Sequence, residues 1–236
     1  MIGQHIIIIG GSSGIGKAVA EKCQQLGANV TITSRSLSKA VEVAQELGDS
    51  IQGKQLDINY EADIKKFFNS YKKIDHIYIA AGATKLGSLM DEAVEDSMQA
   101  FDTRILGSLK VIQSAVSKIP DLGSITFTGG VSTARPIKGA WVSGLATSTA
   151  EQLSRVMVME FPHIRFNAVS PGWTDTPMWD EILGDSKAQV FSEIAEKLPT
   201  KKIVTPNEVA NAVVFLMSNQ SITGEIIHID GGARLV

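Results

Sequence analysis

The sequence has almost no cysteine and no excess of positive charge. With Cys23 as its one cysteine, the chain cannot form an internal disulfide, which suits a reducing compartment. A net charge of −3 gives no footprint for nucleic acid or for an anionic membrane surface. The histidines, His5, His76, His163 and His228, are too scattered for metal-ligand spacing. We therefore expect a cytoplasmic protein that binds no metal, nucleic acid or membrane.

Long hydrophobic runs are also missing. The run Ile6–Ile9 is far shorter than the roughly 20 residues that a membrane-spanning helix needs, and it stops at glycines. It does not resemble a signal peptide, and its continuous β-branched character predicts a parallel strand buried on both faces. With 236 residues, 44% of them hydrophobic, the chain can form one sizeable core.

Short β-branched runs alternate with longer helical patterns along the whole chain. The predicted strands are His5–Ile9, Asn29–Thr33, Ile51–Leu56, His76–Ile79, Ser124–Thr128, Ile164–Val169 and Glu225–Ile229. The predicted helices are Gly14–Leu26, Ser38–Leu47, Glu61–Tyr71, Glu92–Lys118, Val142–Phe161 and Pro206–Ser218. This alternation favours a Rossmann-type, doubly wound parallel sheet of about seven strands with helices on both faces, in a single domain spanning 1–236. The stretch 173–199 falls outside the rhythm, and it is either a mobile cover over a site or a surface insertion.

A glycine-rich turn connects the first predicted strand to the first predicted helix. Its residues are Gly10, Gly11, Ser12, Ser13, Gly14, Ile15 and Gly16. Glycine allows a tight turn and a close approach of the backbone to a pyrophosphate, and the following helix N-terminus offers free N–H groups. The turn therefore predicts a dinucleotide site.

The spacing Gly10-x-x-x-Gly14-Ile15-Gly16 resembles the phosphate turn of the short-chain dehydrogenases/reductases, with Ile9 replacing the usual threonine. Further motifs of that family follow in order: Asp57-Ile58, Ala80-Ala81-Gly82, Asn167-Ala168-Val169-Ser170-Pro171-Gly172 and Thr223-Gly224 with Asp230-Gly231-Gly232. The resemblance covers almost the whole chain. It implies that the dinucleotide contacts Asp57, Ile58, Ala80, Ala81, Gly82, Pro171, Gly172, Trp173, Thr174 and Thr176 in addition to the glycine turn.

The end of the second strand discriminates between the two nicotinamide cofactors. An acidic residue at this position would bind a ribose 2′-hydroxyl and repel a 2′-phosphate, but the chain has Ser34-Arg35-Ser36. Arg35 can pair with a phosphate, and the two serines offer neutral donors. NADP(H) is therefore favoured over NAD(H), the alternative being that Arg35 is only a solvated surface side chain.

The catalytic residues of the family are missing from the aligned positions. Family members use a tyrosine for proton transfer, a lysine four residues later, a serine thirteen residues before the tyrosine, and an upstream asparagine. Alignment puts Ser143, Thr147, Gly130 and Arg104 at these four positions, and the chain contains no Tyr-x-x-x-Lys. Since an aliphatic hydroxyl is much less acidic than a phenol, Ser143 and Thr147 make a poor acid/base pair.

Two functions are compatible with this pattern. The first is an NADP(H)-dependent oxidoreductase acting on activated carbonyl or quinone-like small molecules, in which hydride transfer depends on positioning and the proton comes from water. Arg104, if it points inward, or the N–H groups near Gly129 and Gly130, would then stabilise the developing oxyanion. The second is a non-catalytic NADP(H)-binding redox sensor or partner subunit.

Five other residues are candidates for the substrate pocket or for a replacement of the missing lysine. Trp173, Trp179 and Trp141 are candidates for a hydrophobic substrate pocket, and Lys85 and Lys138 for a cation that replaces the lost lysine. The resemblance also implies a homodimer or homotetramer that pairs the helices predicted at Glu92–Lys118 and Val142–Phe161.

Overall fold

A computed structural model describes residues 1–82 and 85–236. Seven strands form one parallel sheet: β1 (His5–Ile9), β2 (Asn29–Ser34), β3 (Ile51–Gln55), β4 (His76–Ile79), β5 (Ser124–Thr128), β6 (Arg165–Pro171) and β7 (Ile226–Ile229). Their order is β3-β2-β1-β4-β5-β6-β7. The predicted doubly wound sheet is confirmed, and the order reverses between β1 and β4, where ligands bind in folds of this class.

Eight helices cover the sheet within the described residues: α1 (Gly14–Gln25), α2 (Leu37–Leu47), α3 (Glu61–Asn69), α4 (Val94–Ala115), α5 (Trp141–Glu160), α6 (Pro177–Leu183), α7 (Lys187–Lys197) and α8 (Pro206–Ser218). Six of them match predicted helices to within a few residues. The stretch 173–199, for which the sequence analysis proposed no helix, contains α6 and α7. These helices were missed because no strand separates them from each other or from α8, so the alternation of strands and helices gives no signal there.

The core lies on both faces of the sheet. Ile7 and Ile9 pack with residues of α3, α4 and α5, whereas Ile6 and Ile8 pack with residues of α1, α2 and α8. The short isoleucine run is therefore a central strand buried on both faces, as predicted. Cys23 packs in the second cluster, and burial raises the pKa of its thiol to about 12, so it is a packed, unreactive side chain.

A buried arginine, Arg165, is the first residue of β6 and lies at one end of the core. Arg165 is 3% exposed, and its guanidinium donates to the carbonyl oxygens of Leu216, Met217, Asn219 and Ile222 at 2.7–3.1 Å and to Leu122 at 3.0 Å. These carbonyls include the end of α8, whose last C=O groups have no partner within the helix. One side chain thus attaches α8 and the loop after it to β6.

Among the described residues, none of the helices is both long and apolar enough to cross a bilayer. Within the same residues, no group of His, Cys, Asp or Glu side chains is arranged to hold a metal ion.

Candidate active site

The glycine-rich turn lies where the sheet order reverses, and close backbone packing explains its composition. Gly10 has φ +85°, and a Cβ there would lie 2.9 Å from the nitrogen of Ala81 in the loop after β4. A Cβ on Gly16 would lie 2.2 Å from the carbonyl oxygen of Gly10, and one on Gly14 would lie 3.1 Å from Thr176. The turn can therefore be formed only by glycine at these positions.

The N-terminus of α1 opens directly from this turn. Its first turn contains no acidic residue, and the N-cap Ser13 makes no side-chain capping bond. The first N–H groups of a helix have no partner within the helix, and the helix dipole favours a negative group there. The one lysine of the first turn, Lys17, is paired with Glu46 at 2.7 Å. This backbone cradle fits a pyrophosphate.

A cavity of about 520 Å³ extends from this turn across the carboxyl ends of β4, β5 and β6. It brings together most of the residues that the sequence assigned to the cofactor and all four that it assigned to the chemistry. The cofactor residues in the cavity are Gly10, Ser13, Gly14, Ile15, Ala80, Gly82, Pro171, Gly172, Trp173, Thr174 and Thr176. The residues assigned to the chemistry are Arg104, Gly130, Ser143 and Thr147.

The remaining predicted cofactor residues lie outside this cavity, and most of them follow the same sheet edge over β2 and β3. They are Ser12, Ser34, Arg35, Ser36, Asp57, Ile58 and Ala81. Arg35 is exposed, and no ion pair involving it is formed among the described residues. Ser36 caps α2 by accepting from Lys39 N at 3.3 Å, and Asp57 accepts from Asn59 N at 3.0 Å. These residues form the edge on which the adenosine half of a dinucleotide would lie.

The hydroxyl of Ser143, at the position aligned with the family tyrosine, is already hydrogen-bonded to main chain. It accepts from Lys85 N and donates to Lys85 O, each at 3.1 Å. It therefore connects α5 to the loop after β4. Because its one proton is held by a carbonyl, Ser143 is a poor proton donor to a ligand in this conformation.

Thr147, at the position of the family lysine, lies in a cluster of hydroxyl groups. Its Oγ1 donates to Gly144 O at 3.1 Å and lies 3.1 Å from Ser132 Oγ and 3.2 Å from Thr133 Oγ1. The side chain is buried and carries no charge. Nothing in this cluster replaces the ammonium group that would lower the pKa of a neighbouring acid.

The backbone at the aligned serine position is backed by a buried carboxylate. Gly130 N donates to Glu151 Oε1 at 3.2 Å, and a Cβ on Gly129 would lie 2.5 Å from the same side chain. Glu151 therefore occupies the space behind the main chain, and the Gly130 N–H is directed at Glu151 instead of at the cavity. This geometry argues against the expected role of that N–H in stabilising an oxyanion.

Arg104 points inward from α4 into the wall of the cavity. Its Nη1 donates to Thr128 O at 2.8 Å, and its Nη2 lies against Gly82, where a Cβ would be 2.6 Å away. Its Nε is buried and has no hydrogen-bond partner in the part of the chain that the structure describes. Burial lowers the pKa of Arg104, but a guanidinium stays charged at neutral pH. Arg104 is therefore a cation at the position that the sequence analysis assigned to the family asparagine.

The lysines and tryptophans considered above occupy different places. Lys85 pairs with Glu92 at 2.9 Å outside the cavity, whereas Lys138 is exposed at its rim. Trp173 and Trp179 stack at 4.4 Å and line the cavity, and Phe191 of α7 packs edge-on against both. Trp141 begins α5 and is not among the lining residues.

Several cavity residues were missed as site residues by the sequence analysis, and Tyr78 and Ser132 are two polar ones among them. Tyr78 lines the floor of the cavity, with its hydroxyl 2.9 Å from Thr128 Oγ1, and burial raises its pKa above the usual range. Ser132 lies in the hydroxyl cluster of Thr147. A tyrosine in a strand of otherwise isoleucine and histidine residues, next to the Ala80-Ala81-Gly82 motif, was the available signal for the first. Ser132 carried none.

Comparison with known proteins identifies the class to which this site belongs. A family model described as enoyl-(acyl carrier protein) reductase matches residues 10–234. A 3-oxoacyl-[acyl-carrier-protein] reductase from Mus musculus is 31% identical, with 97% of each chain covered.

Comparison with solved structures points to the same family. A short chain dehydrogenase/reductase family protein is 29% identical with a TM-score of 0.88, and 100% of this chain and 99% of that chain are covered. A small-chain dehydrogenase in complex with NADPH is 27% identical with a TM-score of 0.87, and 99% and 100% of the two chains are covered. The chain therefore belongs to the short-chain dehydrogenase/reductase family.

Proposed function

We propose that this protein is an NADP(H)-dependent oxidoreductase that reduces activated carbonyl or quinone-like small molecules without a Tyr/Lys proton relay. The observation that carries the proposal is the cavity itself, which joins the glycine turn to Arg104, Ser143 and Thr147 in one continuous space. The NADPH complex of the similar dehydrogenase supports the choice of cofactor. The mouse relative is named a 3-oxoacyl-[acyl-carrier-protein] reductase and a Danio rerio relative a carbonyl reductase family member, and these names support reduction of a carbonyl group.

Each of these residues is assigned a separate role in binding or in the reaction. Gly10, Gly14 and the N-terminus of α1 would hold the pyrophosphate, and Arg35 would pair with the 2′-phosphate. When bound, the reduced nicotinamide supplies a hydride. Arg104 stabilises the negative charge that develops on the acceptor oxygen, since it brings a fixed cation to a site shielded from water. With Ser143 bonded to main chain, the proton that completes the reduction comes from water.

The segment 173–199 is proposed to cover the bound substrate. Trp173 and Trp179 provide its apolar inner surface, and Lys187 of α7 pairs with Asp175 and Asp180 at 2.7 Å each, so the segment has its own internal contacts. We also propose a homo-oligomer formed through α4 and α5, as the family resemblance implies. Both helices expose large apolar side chains, including Leu106, Leu145 and Met159.

Turnover with a panel of acceptors tests the proposed reaction. Loss of NADPH absorbance is expected with quinones and 1,2-diketones, whereas simple ketones should react much more slowly because they need a proton donor in the transition state. Binding of NADPH with no turnover on any acceptor would instead support the alternative, a redox sensor or partner subunit. That alternative draws on the internal hydrogen bonds of Ser143 and Thr147.

Cofactor choice is tested by Arg35→Asp. We expect NADPH affinity to fall about 10- to 100-fold, the equivalent of one lost charge-assisted hydrogen bond, while NADH affinity is kept or improved. The measurement is a fluorescence titration with each reduced cofactor. Lys72→Asp makes the same change of charge at an exposed position before β4, at the opposite edge of the sheet, and should leave both affinities unchanged. An Arg35→Asp variant that still prefers NADPH would refute the assignment.

A further inference from the structure

Arg104 is a charged group that its surroundings do not neutralise. None of the ion pairs among residues 1–82 and 85–236 includes it, and the one titratable group that acts on its charge is Tyr78. The phenol of Tyr78 is neutral at physiological pH because burial raises its pKa. The buried carboxylate nearby, Glu151, lies behind Gly129 and Gly130 and does not approach Arg104 within ion-pair distance.

The hydrogen bonds of Arg104 are also incomplete. Thr128 O takes one donor of Nη1, and Gly129 O lies at 3.5 Å, the limit of a hydrogen bond. The Nε–H is enclosed without an acceptor among residues 1–82 and 85–236. An enclosed charged donor without a partner is costly, and such groups are normally paired with an opposite charge or a hydrogen-bond acceptor. The other terminal nitrogen, Nη2, makes no hydrogen bond among the described residues, and it lies against Gly82 in the cavity lining. An anionic ligand in the cavity would pair with the guanidinium through Nη2.

The rest of the cavity wall is mostly apolar. Leu86, Ile137, Met178 and Trp179 line it together with Trp173, and its other cation, Lys138, is exposed at the rim. A ligand that matches this wall has an apolar, flat body and one acidic group. A guanidinium presents a planar fork of donors that matches the two oxygens of a carboxylate.

We propose that the natural acceptor carries a carboxylate that pairs with Arg104, so that the substrate is an acidic, apolar carbonyl or quinone compound. This inference rests on the proposed function. In the reaction, the acceptor carbon gains a hydride from NADPH, its carbonyl π bond becomes an alkoxide that takes a proton from water, and NADP⁺ is formed. The carboxylate does not change; it holds the acceptor beside Arg104, whose guanidinium has enough donors to keep its proposed role at the carbonyl oxygen as well.

A matched pair of ligands separates charge from shape. Benzoylformate and its methyl ester share an aromatic ring and a 2-keto group, but only the acid carries a charge. With the NADP⁺-loaded protein, calorimetry should give at least about tenfold tighter binding for the acid, the size of one charge-assisted hydrogen bond. Arg104→Gln should remove this preference, and Arg104→Lys should keep part of it.

Three controls make the result decisive. NADP⁺ affinity of Arg104→Gln should stay within about threefold of the wild type, less than one hydrogen bond contributes. Lys138→Gln should keep the preference for the acid. The thermal melt of Arg104→Lys checks that the fold tolerates a change at this position.

Several outcomes would overturn the inference. These are equal binding of acid and ester, binding of neither, a preference that survives in Arg104→Gln or depends on Lys138, or a loss of NADP⁺ affinity in Arg104→Gln that matches the loss of acid affinity. The proposed function fails separately. Turnover of neutral quinones without a preference for acids would keep the reductase and remove the inference. Tight acid binding that depends on Arg104, without NADPH oxidation on any acceptor, would remove the reductase and leave Arg104 only as a carboxylate-binding residue.

Discussion

Replacing Gly16 by alanine is expected to weaken NADPH binding by about 100-fold, the upper part of the range for overpacking at a well-packed position. The added Cβ would lie 2.2 Å from Gly10 O and 3.0 Å from Gly11 Cα. Both neighbours are main-chain atoms of the phosphate turn, so neither can rotate away and the turn itself must move. NADPH fluorescence titration measures the loss.

The matched control for this change is Gly144→Ala. Gly144 lies inside α5, and the nearest atom to a Cβ there is Ser132 O at 3.7 Å, an ordinary contact. Alanine is the better helix former, so stability should be kept or rise slightly, with NADPH affinity unchanged. A Gly16→Ala protein that binds NADPH within threefold of the wild type would show that this packing does not shape the phosphate site.

Replacing Arg165 by methionine is expected to lower the free energy of unfolding by about 3–5 kcal/mol, because several buried carbonyl groups would lose their donor at about 1–3 kcal/mol for each one left unsatisfied. The main-chain carbonyl groups that Arg165 now binds, among them those of Leu216 and Met217 at the end of α8, would lose their donor inside the protein. In a chain of this size, that corresponds to a drop in Tm of roughly 10 °C. Urea unfolding and a thermal scan both measure it.

Arg155→Met provides the control for the loss of a guanidinium. Arg155 is exposed on α5, and its one hydrogen bond among the described residues runs to Gln152 Oε1 at 3.4 Å. Its replacement should change the free energy of unfolding by less than about 0.5 kcal/mol, as is usual for surface positions. If the two variants unfold alike, the carbonyl contacts of Arg165 do not hold α8 in place.

Local pattern was sufficient to predict the framework. The run Ile6–Ile9 has β-branched residues without polar alternation, which is the signature of a strand with helices on both faces, and that is its position in the structure. The strands and six of the helices follow from the same periodicity. By contrast, α6 and α7 were missed because no strand separates them, and the aromatic contacts of this segment join residues up to 18 positions apart, from Trp173 to Phe191.

The site was only partly predictable. Spacing and resemblance selected Arg104, Gly130, Ser143 and Thr147, and the cavity brings the four together. What each side chain does there was not predictable, because it depends on partners far along the chain. Ser143 bonds to Lys85, 58 positions away, and this bond occupies its hydroxyl.

The sequence by itself determined the class of fold, the phosphate turn and the absence of a Tyr-x-x-x-Lys pair, because each is a property of neighbouring residues and their order. Only the tertiary structure decided that Arg104 points inward, that it has no acidic partner among the described residues, and that Gly130 N turns towards Glu151. The physical reason is that charge compensation and hydrogen-bond satisfaction depend on distances in space. Those distances exist only once α4, α5 and the strand ends have packed together.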